Sequence, residues 1–208
     1  EMNGSPPKSQ TGLLGEMQER QVTIDGETIK LDPPFMALAT QNPIEQEGTY
    51  PLPEAQLDRF LMKVVMDYPS VSDEVKVVRD VTSGTGLSAS SAARLYSQED
   101  ILSAQQDVAN IRCVDEVVNY AVNIVRATRS AQGISLGAGT RGAISLVRIA
   151  KAFAYMAGRD FVVPDDIKQS ALPVLRHRVQ LAPELAISGQ KIDDALLNII
   201  SRVEAPRQ

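Results

Sequence analysis

Cysteine, aromatic residues and long apolar runs are all scarce in this 208-residue sequence, and each scarcity excludes a class of protein. The single cysteine, Cys113, excludes an internal disulfide and cannot build a structural zinc site, which is typical of a reducing compartment. No apolar run approaches the roughly 20 residues that a membrane-spanning helix needs. We therefore expect a cytoplasmic protein without a membrane span.

Positive charge is also in the minority. Lys and Arg number 21 against 26 Asp and Glu, which gives a formal net charge of −5, and there are only four Phe and five Tyr. No basic stripe interleaved with aromatic residues is present, so we do not expect a nucleic-acid partner. An apolar content of 43% allows the chain to bury a sizeable core, as one large domain or two small ones.

The first third of the chain carries strand signals. Residues 35–39 and 60–66 are apolar runs that predict buried strands, and residues 21–31 alternate around an Asp-Gly pair that predicts a β-hairpin. Asn42 follows the first run, where open α/β sheets place their chemistry, and Arg59 stands at the entry to the second, with a planar fork that suits phosphate. A short amphipathic helix is predicted over residues 9–20.

The rest of the chain predicts helices only. The expected helices start at Ser72, at Ser97 with an Asp100 capping box, and near residues 114, 143, 164 and 191. Residues 82–93 predict a flexible linker. The division is an α/β segment over 1–67, a helix and linker over 68–94, and an all-helical domain over 95–208. The helix over 114–129 is expected to bury six residues: Val117, Val118, Ala121, Val122, Ile124 and Val125.

Four segments in this order resemble the MoxR family of AAA+ ATPases. They read EMNGSPPK at residues 1–8, ATQNP at 39–43, GTYPLPEAQLDRF at 48–60 and GAGTRGA at 137–143. In the last segment Arg141 matches the family's sensor 2 motif, whereas its serine-proline pair is replaced. The resemblance covers nearly the whole chain, from the end of the Walker B motif through sensor 1 and the arginine finger to the helical lid.

The resemblance implies a partial α/β P-loop NTPase (AAA+) core followed by an all-α helical lid. In the family's sheet order, 5-1-4-3-2, the two predicted strands are 4 and 5, and strand 1 belongs between them. An unfilled gap there leaves backbone groups unpaired, so we expect the α/β part to be incomplete as given. Either a longer protein or a second polypeptide supplies the remainder. Without a Walker A loop, the chain alone is expected to be inactive.

The resemblance also assigns four site residues. Glu1 polarises the attacking water, Asn42 positions it as sensor 1, Arg59 is the finger offered to the neighbouring subunit's nucleotide, and Arg141 is the lid's sensor 2. Asn42 and Arg141 contact the nucleotide of their own subunit. ATP and Mg²⁺ are the implied cofactors, and no metal ligand is assigned because the preceding aspartate of the motif is absent.

Three of these assignments have plainer alternatives. Glu1 can be a solvated terminal acid, and Asn42 can cap a turn before the proline that follows it. Arg59 can be a surface ion-pair partner of Asp58 or Glu54.

For Arg141 the competing candidate is Arg148, two turns further along the same predicted helix. His177 is predicted to be structural, and the acidic pairs at the predicted helix starts complement helix dipoles.

The leading hypothesis is an ATPase that works in a ring of six subunits and remodels or matures client proteins. Partners with a von Willebrand factor A domain, and clients such as metalloenzymes that await a cofactor, are implied by the resemblance alone. One alternative is a non-catalytic lid fragment that acts as an adaptor for a protein partner. Another is a magnesium-chelatase-like motor subunit, against which the GTYPLPEAQ run argues.

Overall fold

The structure is a computed structural model that describes residues 19–24, 26–41, 53–84, 93 and 95–206. Glu1 and Asn42 lie outside these residues, and so do most of the helix predicted over 9–20 and most of the linker predicted over 82–93. Those expectations therefore stay predictions.

An antiparallel hairpin forms where the Asp-Gly pair predicts one. Strand β1 (Gln21–Ile24) pairs with β2 (Glu27–Lys30), with Gln21 opposite Lys30 and Ile24 opposite Glu27. Gly26 adopts a φ of +86°, which glycine accepts because it has no Cβ. The hairpin prediction is confirmed.

The two strands predicted over residues 35–39 and 60–66 are wrong as secondary structure. Residues 35–41 and 62–70 are irregular, and Met36 and Leu38 are 76% and 85% exposed. A strand needs a neighbour to complete its ladder of hydrogen bonds. Within the described ranges, the two sheets contain only β1 with β2 and a later pair in the helical part, so neither apolar run has a strand beside it.

Three helices lead into the helical part of the chain. Helix α1 (Glu54–Leu57) is a single turn, and α2 (Val71–Thr82) begins after Ser70, whose hydroxyl accepts a 3.3 Å hydrogen bond from the Asp73 amide. Helix α3 (Gln98–Asn110) starts with the predicted capping box, in which Ser97 and Asp100 bond each other's main-chain amides.

The core lies among the later helices. These are α4 (Asp115–Ser130), α5 (Thr140–Met156), α6 (Pro164–Leu175), α7 (Pro183–Ile187) and α8 (Ile192–Arg202). Helix α5 packs on α4 and α6, and α8 closes the other side of α4 and α6. Burying large apolar side chains stabilises this bundle by about 1.5–3 kcal/mol each. The largest fully buried apolar and aromatic side chains are Tyr120, Ile124, Leu146, Ile167, Leu175 and Leu196.

The expectation of helices only beyond residue 95 needs correction. Strand β3 (Ile134–Leu136) pairs antiparallel with β4 (Gln180–Leu181), and the Ser135 hydroxyl donates to the Leu181 carbonyl at 2.9 Å. Runs of two and three residues are too short for a period of two to be recognised in a sequence. The described residues thus form a hairpin, irregular segments and short helices, followed by a mostly helical part that carries one small sheet.

The buried face of α4 differs from the predicted one. Tyr120 and Thr128 are fully buried, whereas Val122 is exposed and Val118 is only half-buried. The buried positions follow the three- and four-residue spacing of one helix face, and polar residues on that face are buried with the apolar ones.

Among the residues that the structure describes, no helix is long and apolar enough to cross a membrane.

Candidate functional site

Asp58 lies between two arginines of the lid. It directly follows helix α1, and its Oδ2 accepts a 2.9 Å bond from Nη1 of Arg141, while its Oδ1 accepts a 2.9 Å bond from Nε of Arg178. The two arginines come from the first turn of α5 and from the turn after α6. One carboxylate therefore joins the end of the core segment to two separate elements of the lid.

Arg178 is the more buried of the two arginines, with a side chain that is 1% exposed against 45% for Arg141. Its guanidinium also donates to main-chain carbonyls on both sides of Arg59. Burial lowers the pKa of the Arg178 guanidinium, and the bond to Asp58 opposes that shift. Its further acceptors are the carbonyls of Asp58 at 3.0 Å, Phe60 at 2.5 Å, Leu61 at 3.2 Å and Val174, and the Ser145 hydroxyl at 3.3 Å.

The two residues before Arg178 hold the same segment. Arg176 donates from Nη1 to the Lys63 carbonyl at 3.3 Å, and the Lys63 amide donates to the Pro173 carbonyl at 2.8 Å. Arg176 also pairs with Asp193 at 2.9 Å, which ties it to the first turn of α8. Residues 58–63 are thus hydrogen-bonded along their length to the carboxyl end of α6 and the turn that follows.

His177, like Arg176 and Arg178, contacts the segment 58–63. Its Nε2 lies 3.1 Å from the Phe60 carbonyl, which makes Nε2 the protonated nitrogen of a neutral ring, and its buried Nδ1 has no partner among the described residues. Burial, and next the positive charge of Arg178, lower the pKa of His177 to about 4. The ring is therefore neutral at physiological pH. These contacts agree with the structural role predicted for it.

Arg59 sits in the middle of this segment without sharing its contacts. Its side chain is exposed and makes no ion pair with any residue of the described ranges. The alternative of a pair with Asp58 or Glu54 is not what the structure forms, because Asp58 engages two other arginines and Glu54 accepts a hydrogen bond from Gln180. The neighbours of Arg59 fix the segment, and the guanidinium of Arg59 makes no ion pair with the part of the chain that the structure describes.

Arg141 stands in the first turn of α5, which begins three residues earlier than the sequence predicts. The loop before it is rigidly placed: a Cβ on Gly137 would lie 2.6 Å from the Arg129 Cα, and Arg129 Nε donates to the Ala138 carbonyl at 2.8 Å. Arg148 is exposed two turns further along, and no described contact joins it to residues 58–63. Of the four predicted site residues, Arg141 bonds to Asp58, and Arg59 is the residue that follows Asp58 in the chain.

The contact between Arg141 and Asp58 indicates which group this arginine suits. A guanidinium that binds a carboxylate oxygen at 2.9 Å offers the same donor fork to a phosphate oxygen. A phosphate oxygen could therefore accept from Arg141 in the same way, as the sequence resemblance implies. For Mg²⁺ the outcome differs: the described ranges contain no cluster of three or more His, Cys, Asp or Glu residues that could hold a metal ion.

Sequence reasoning missed Asp58 and Arg178 as members of the site. They are 120 residues apart, so no local spacing connects them. The signal that could have found them is an aspartate and an arginine, each beside apolar residues that predict burial, because a buried charge requires a partner.

Known proteins match both ends of the chain. Residues 1–62 match the family described as ATPase family associated with various cellular activities (AAA), and residues 126–198 match the AAA lid domain. The protein YeaC of Bacillus subtilis is 42% identical over the whole chain, and the Chaperone MoxR1 of Mycobacterium tuberculosis is 37% identical over 90% of it. The chain spans 64% and 54% of the lengths of these two relatives.

A solved structure agrees with these matches. A crystal structure of a protein from Cytophaga hutchinsonii superposes with a TM-score of 0.88 at 39% identity, and the match covers 98% of this chain and 64% of that one. The fold and the sequence together define the class as an AAA-type ATPase, represented by the end of the core and the lid. More narrowly, the chain belongs to the MoxR family of AAA+ ATPases.

The chelatase alternative has weaker support. The magnesium-chelatase subunit ChlI of Mesostigma viride is 29% identical over 88% of the chain, against 37% for MoxR1 over 90%. The comparisons therefore favour the MoxR assignment, in agreement with the GTYPLPEAQ run.

Proposed function

We propose that this chain is part of an ATP-hydrolysing subunit of a ring. In that ring Arg59 contacts the nucleotide of the neighbouring subunit, and Arg141 contacts the nucleotide of its own subunit. The observation that carries the proposal is the shared anchor. Asp58, next to Arg59 in the chain, binds Arg141, while Arg59 itself is exposed without an ion-pair partner in the described ranges.

When bound, ATP with Mg²⁺ supplies a γ-phosphate whose transfer to water develops negative charge on its equatorial oxygens. Guanidinium groups held in fixed positions stabilise such charge without reorganising. Arg141 is held by the first turn of α5. Arg59 is held by residues 58–63, which are hydrogen-bonded to the carboxyl end of α6 and the turn that follows it. Glu1 and Asn42 are proposed, from the sequence resemblance, to polarise and position the water.

The ring is further proposed to remodel or mature client proteins, in a hexameric assembly. The support is family membership and the name Chaperone MoxR1 of a relative. A von Willebrand factor A domain partner is a proposal from the family resemblance. The exposure of Arg59 supports the ring to this extent, that an exposed guanidinium is able to reach the nucleotide of a neighbouring subunit.

ATP hydrolysis by the intact gene product tests the proposal. Arg59→Ala should lower kcat by about 10³-fold or more, because a finger given in trans contributes that much in related NTPases. Binding of a fluorescent ATP analogue should stay within about threefold of the wild-type affinity, since the finger contacts the neighbour's nucleotide. Arg126→Ala is the matched control, because Arg126 is an exposed arginine of α4 outside the candidate site and its loss should leave both quantities unchanged.

Arg59→Ala hydrolysing ATP at the wild-type rate would contradict the finger assignment. An intact protein that binds a specific partner and shows no hydrolysis under any condition would instead favour the adaptor alternative. Restored porphyrin metallation on mixing with chelatase partner subunits would favour the chelatase alternative.

A further inference from the structure

We propose that Arg178 is a positioning residue for Arg59: its buried guanidinium fixes the main chain on both sides of the finger. This inference rests on the proposed function of Arg59. It adds a residue outside the four that the family resemblance assigns.

The bonding of Arg178 is the first argument. A guanidinium has five N–H donors in a rigid planar fork, and here the donors reach the carboxylate of Asp58 and three main-chain carbonyls within residues 58–61. The carbonyls belong to Asp58, Phe60 and Leu61, so Arg59 is bracketed on both sides while its own side chain stays exposed. Because the main chain is held on both sides of Arg59, the Cα position from which the Arg59 side chain extends is fixed.

The second argument is that Arg178 donates to main-chain carbonyls that have no partner in regular secondary structure. Residues 58–61 form turns rather than a strand or a helix, so most of their carbonyls have no regular backbone partner. The Val174 carbonyl, at the end of α6, is likewise an acceptor that its helix leaves unpaired, and Arg178 donates to it as well. One side chain that is 1% exposed therefore satisfies acceptors from both segments and joins them.

The third argument is the division of labour between the two arginines on Asp58. Arg141 is 45% exposed and makes a single bond to Asp58, so it is able to move to a phosphate. Arg178 keeps its bond to Oδ1 and its carbonyl contacts when Arg141 leaves Oδ2. The finger thus keeps its position while the sensor of the same subunit engages its nucleotide.

Arg178→Lys is the test variant, because lysine keeps the charge but lacks the fork that holds several carbonyls. Arg159→Lys is the matched control. Arg159 forms a bidentate pair with the buried carboxylate of Asp166, at 2.7 and 2.9 Å, and it has no described contact with residues 58–63. The two variants remove comparable pairs from the lid, one at the finger segment and one away from it.

Both variants are measured in the intact protein, alone and in the Arg59→Ala background, below the lowest unfolding midpoint. We expect Arg178→Lys to lower kcat at least about tenfold with ATP affinity unchanged, and to have less than about a twofold effect once Arg59 is absent. Arg159→Lys should change kcat less than about twofold in both backgrounds. Such non-additivity is the signature of a residue that acts through Arg59.

Hydrogen exchange without nucleotide gives an independent readout. The amides of Arg59, Phe60 and Lys63 donate to main-chain carbonyls, so loss of the clasp should expose them. We expect their exchange to rise at least about tenfold in Arg178→Lys and to stay unchanged in Arg159→Lys.

Three outcomes are distinguishable. Suppose that Arg59→Ala loses hydrolysis, but Arg178→Lys leaves kcat at the wild-type value or lowers it by the same factor in both backgrounds. The positioning role of Arg178 is then overturned, while the assignment of Arg59 as the finger is supported. If Arg59→Ala itself hydrolyses normally, both are overturned.

Should Arg178→Lys fail to fold, Arg178→Gln replaces it, because a neutral amide needs no counterion when buried and can still donate to a carbonyl, but lacks the fork that holds several of them. Its loss of kcat should also disappear in the Arg59→Ala background. A loss that persists there would overturn the proposal, because it would reach hydrolysis by a route other than the finger.

Discussion

Asp58 and Arg141 lie 83 residues apart and are joined by a 2.9 Å bond between Oδ2 and Nη1. Through this bond the turn that carries Arg59 meets the first turn of the lid helix α5. Because Arg178 holds the other oxygen of the same carboxylate, three elements converge on one acidic side chain. The candidate finger and the candidate sensor of one subunit are therefore mechanically connected.

Asp58→Asn should destabilise the intact protein by about 2 kcal/mol, because it leaves the buried charge of Arg178 without its counterion while the carbonyl contacts remain. Urea unfolding measures the change. Asp165→Asn is the matched control: its pair with Lys168 is 3.5 Å long and the Asp165 side chain is 87% exposed, so the change should be under about 0.5 kcal/mol. Equal effects of the two variants would contradict the role of Asp58 as the counterion of the buried Arg178.

His177 should make stability depend on pH. Its pKa is about 4 in the fold and 6.5 for the free side chain, so the unfolded chain binds a proton between these values that the folded chain does not. The contribution of His177 to the free energy of unfolding is therefore fully present above pH 6.5, and it decreases as the pH drops towards 4. Arg178, Lys63 and Asp58 face the ring, and the two cations reinforce its neutral form.

Urea midpoints of the wild type and of His177→Gln at pH 7 and pH 5 measure this contribution. Glutamine can still donate to the Phe60 carbonyl but does not titrate, so we expect the variant to lose less stability between the two values. Equal losses would show that other groups carry the pH dependence.

Substitutions at two glycines of the loop before Arg141 should have opposite effects on the free energy of unfolding. Gly137→Ala places a Cβ 2.6 Å from the Arg129 Cα, which is main chain and cannot yield, so we expect a loss of about 2 kcal/mol or more. Gly139 is the N-cap of α5 and its Cβ position is free of described atoms within 4 Å. Gly139→Ser should therefore gain a few tenths of a kcal/mol from capping, roughly.

Thermal unfolding of the two glycine variants is the measurement. A Gly137→Ala protein that melts with the wild type would mean that the loop is able to shift, and would remove the argument that it holds Arg141 rigidly.

Features fixed by neighbouring residues in the sequence were predictable. The capping box of Ser97 and Asp100 and the hairpin around Gly26 depend on contacts within a few residues, and both form as predicted. Helix α5 starts three residues before its predicted start, because packing against the core of the lid overrides the weak helix propensity of Thr140 and Gly142.

Features that depend on distant partners were not predictable. Residues 35–39 and 60–66 have the composition of strands, yet a strand forms only beside another, and the described residues offer none. Tyr120 and Thr128 were missed on α4 because burial there follows the helix face rather than residue type. Family resemblance, rather than any spacing, gave Arg59 and Arg141, and the clasp of Arg178 on Asp58 joins residues that only the fold brings together.

The central claim is that Arg59 and Arg141 serve different nucleotides, and complementation between subunits tests it directly. Arg59→Ala and Arg141→Ala versions of the intact protein carry different affinity tags and are co-expressed, and rings holding both tags are isolated. Each variant alone should be nearly inactive. In mixed rings, an Arg59→Ala subunit keeps its own Arg141 and receives Arg59 from an Arg141→Ala neighbour, so roughly a quarter of the sites should be complete.

Wild-type subunits mixed with the Arg59→Ala/Arg141→Ala double variant give the reference for chance pairing. The account predicts that rings mixed from the two single variants hydrolyse ATP at about a quarter of the wild-type rate. Mixed rings as inactive as either parent would contradict it, since both arginines would then act on the same nucleotide from the same side.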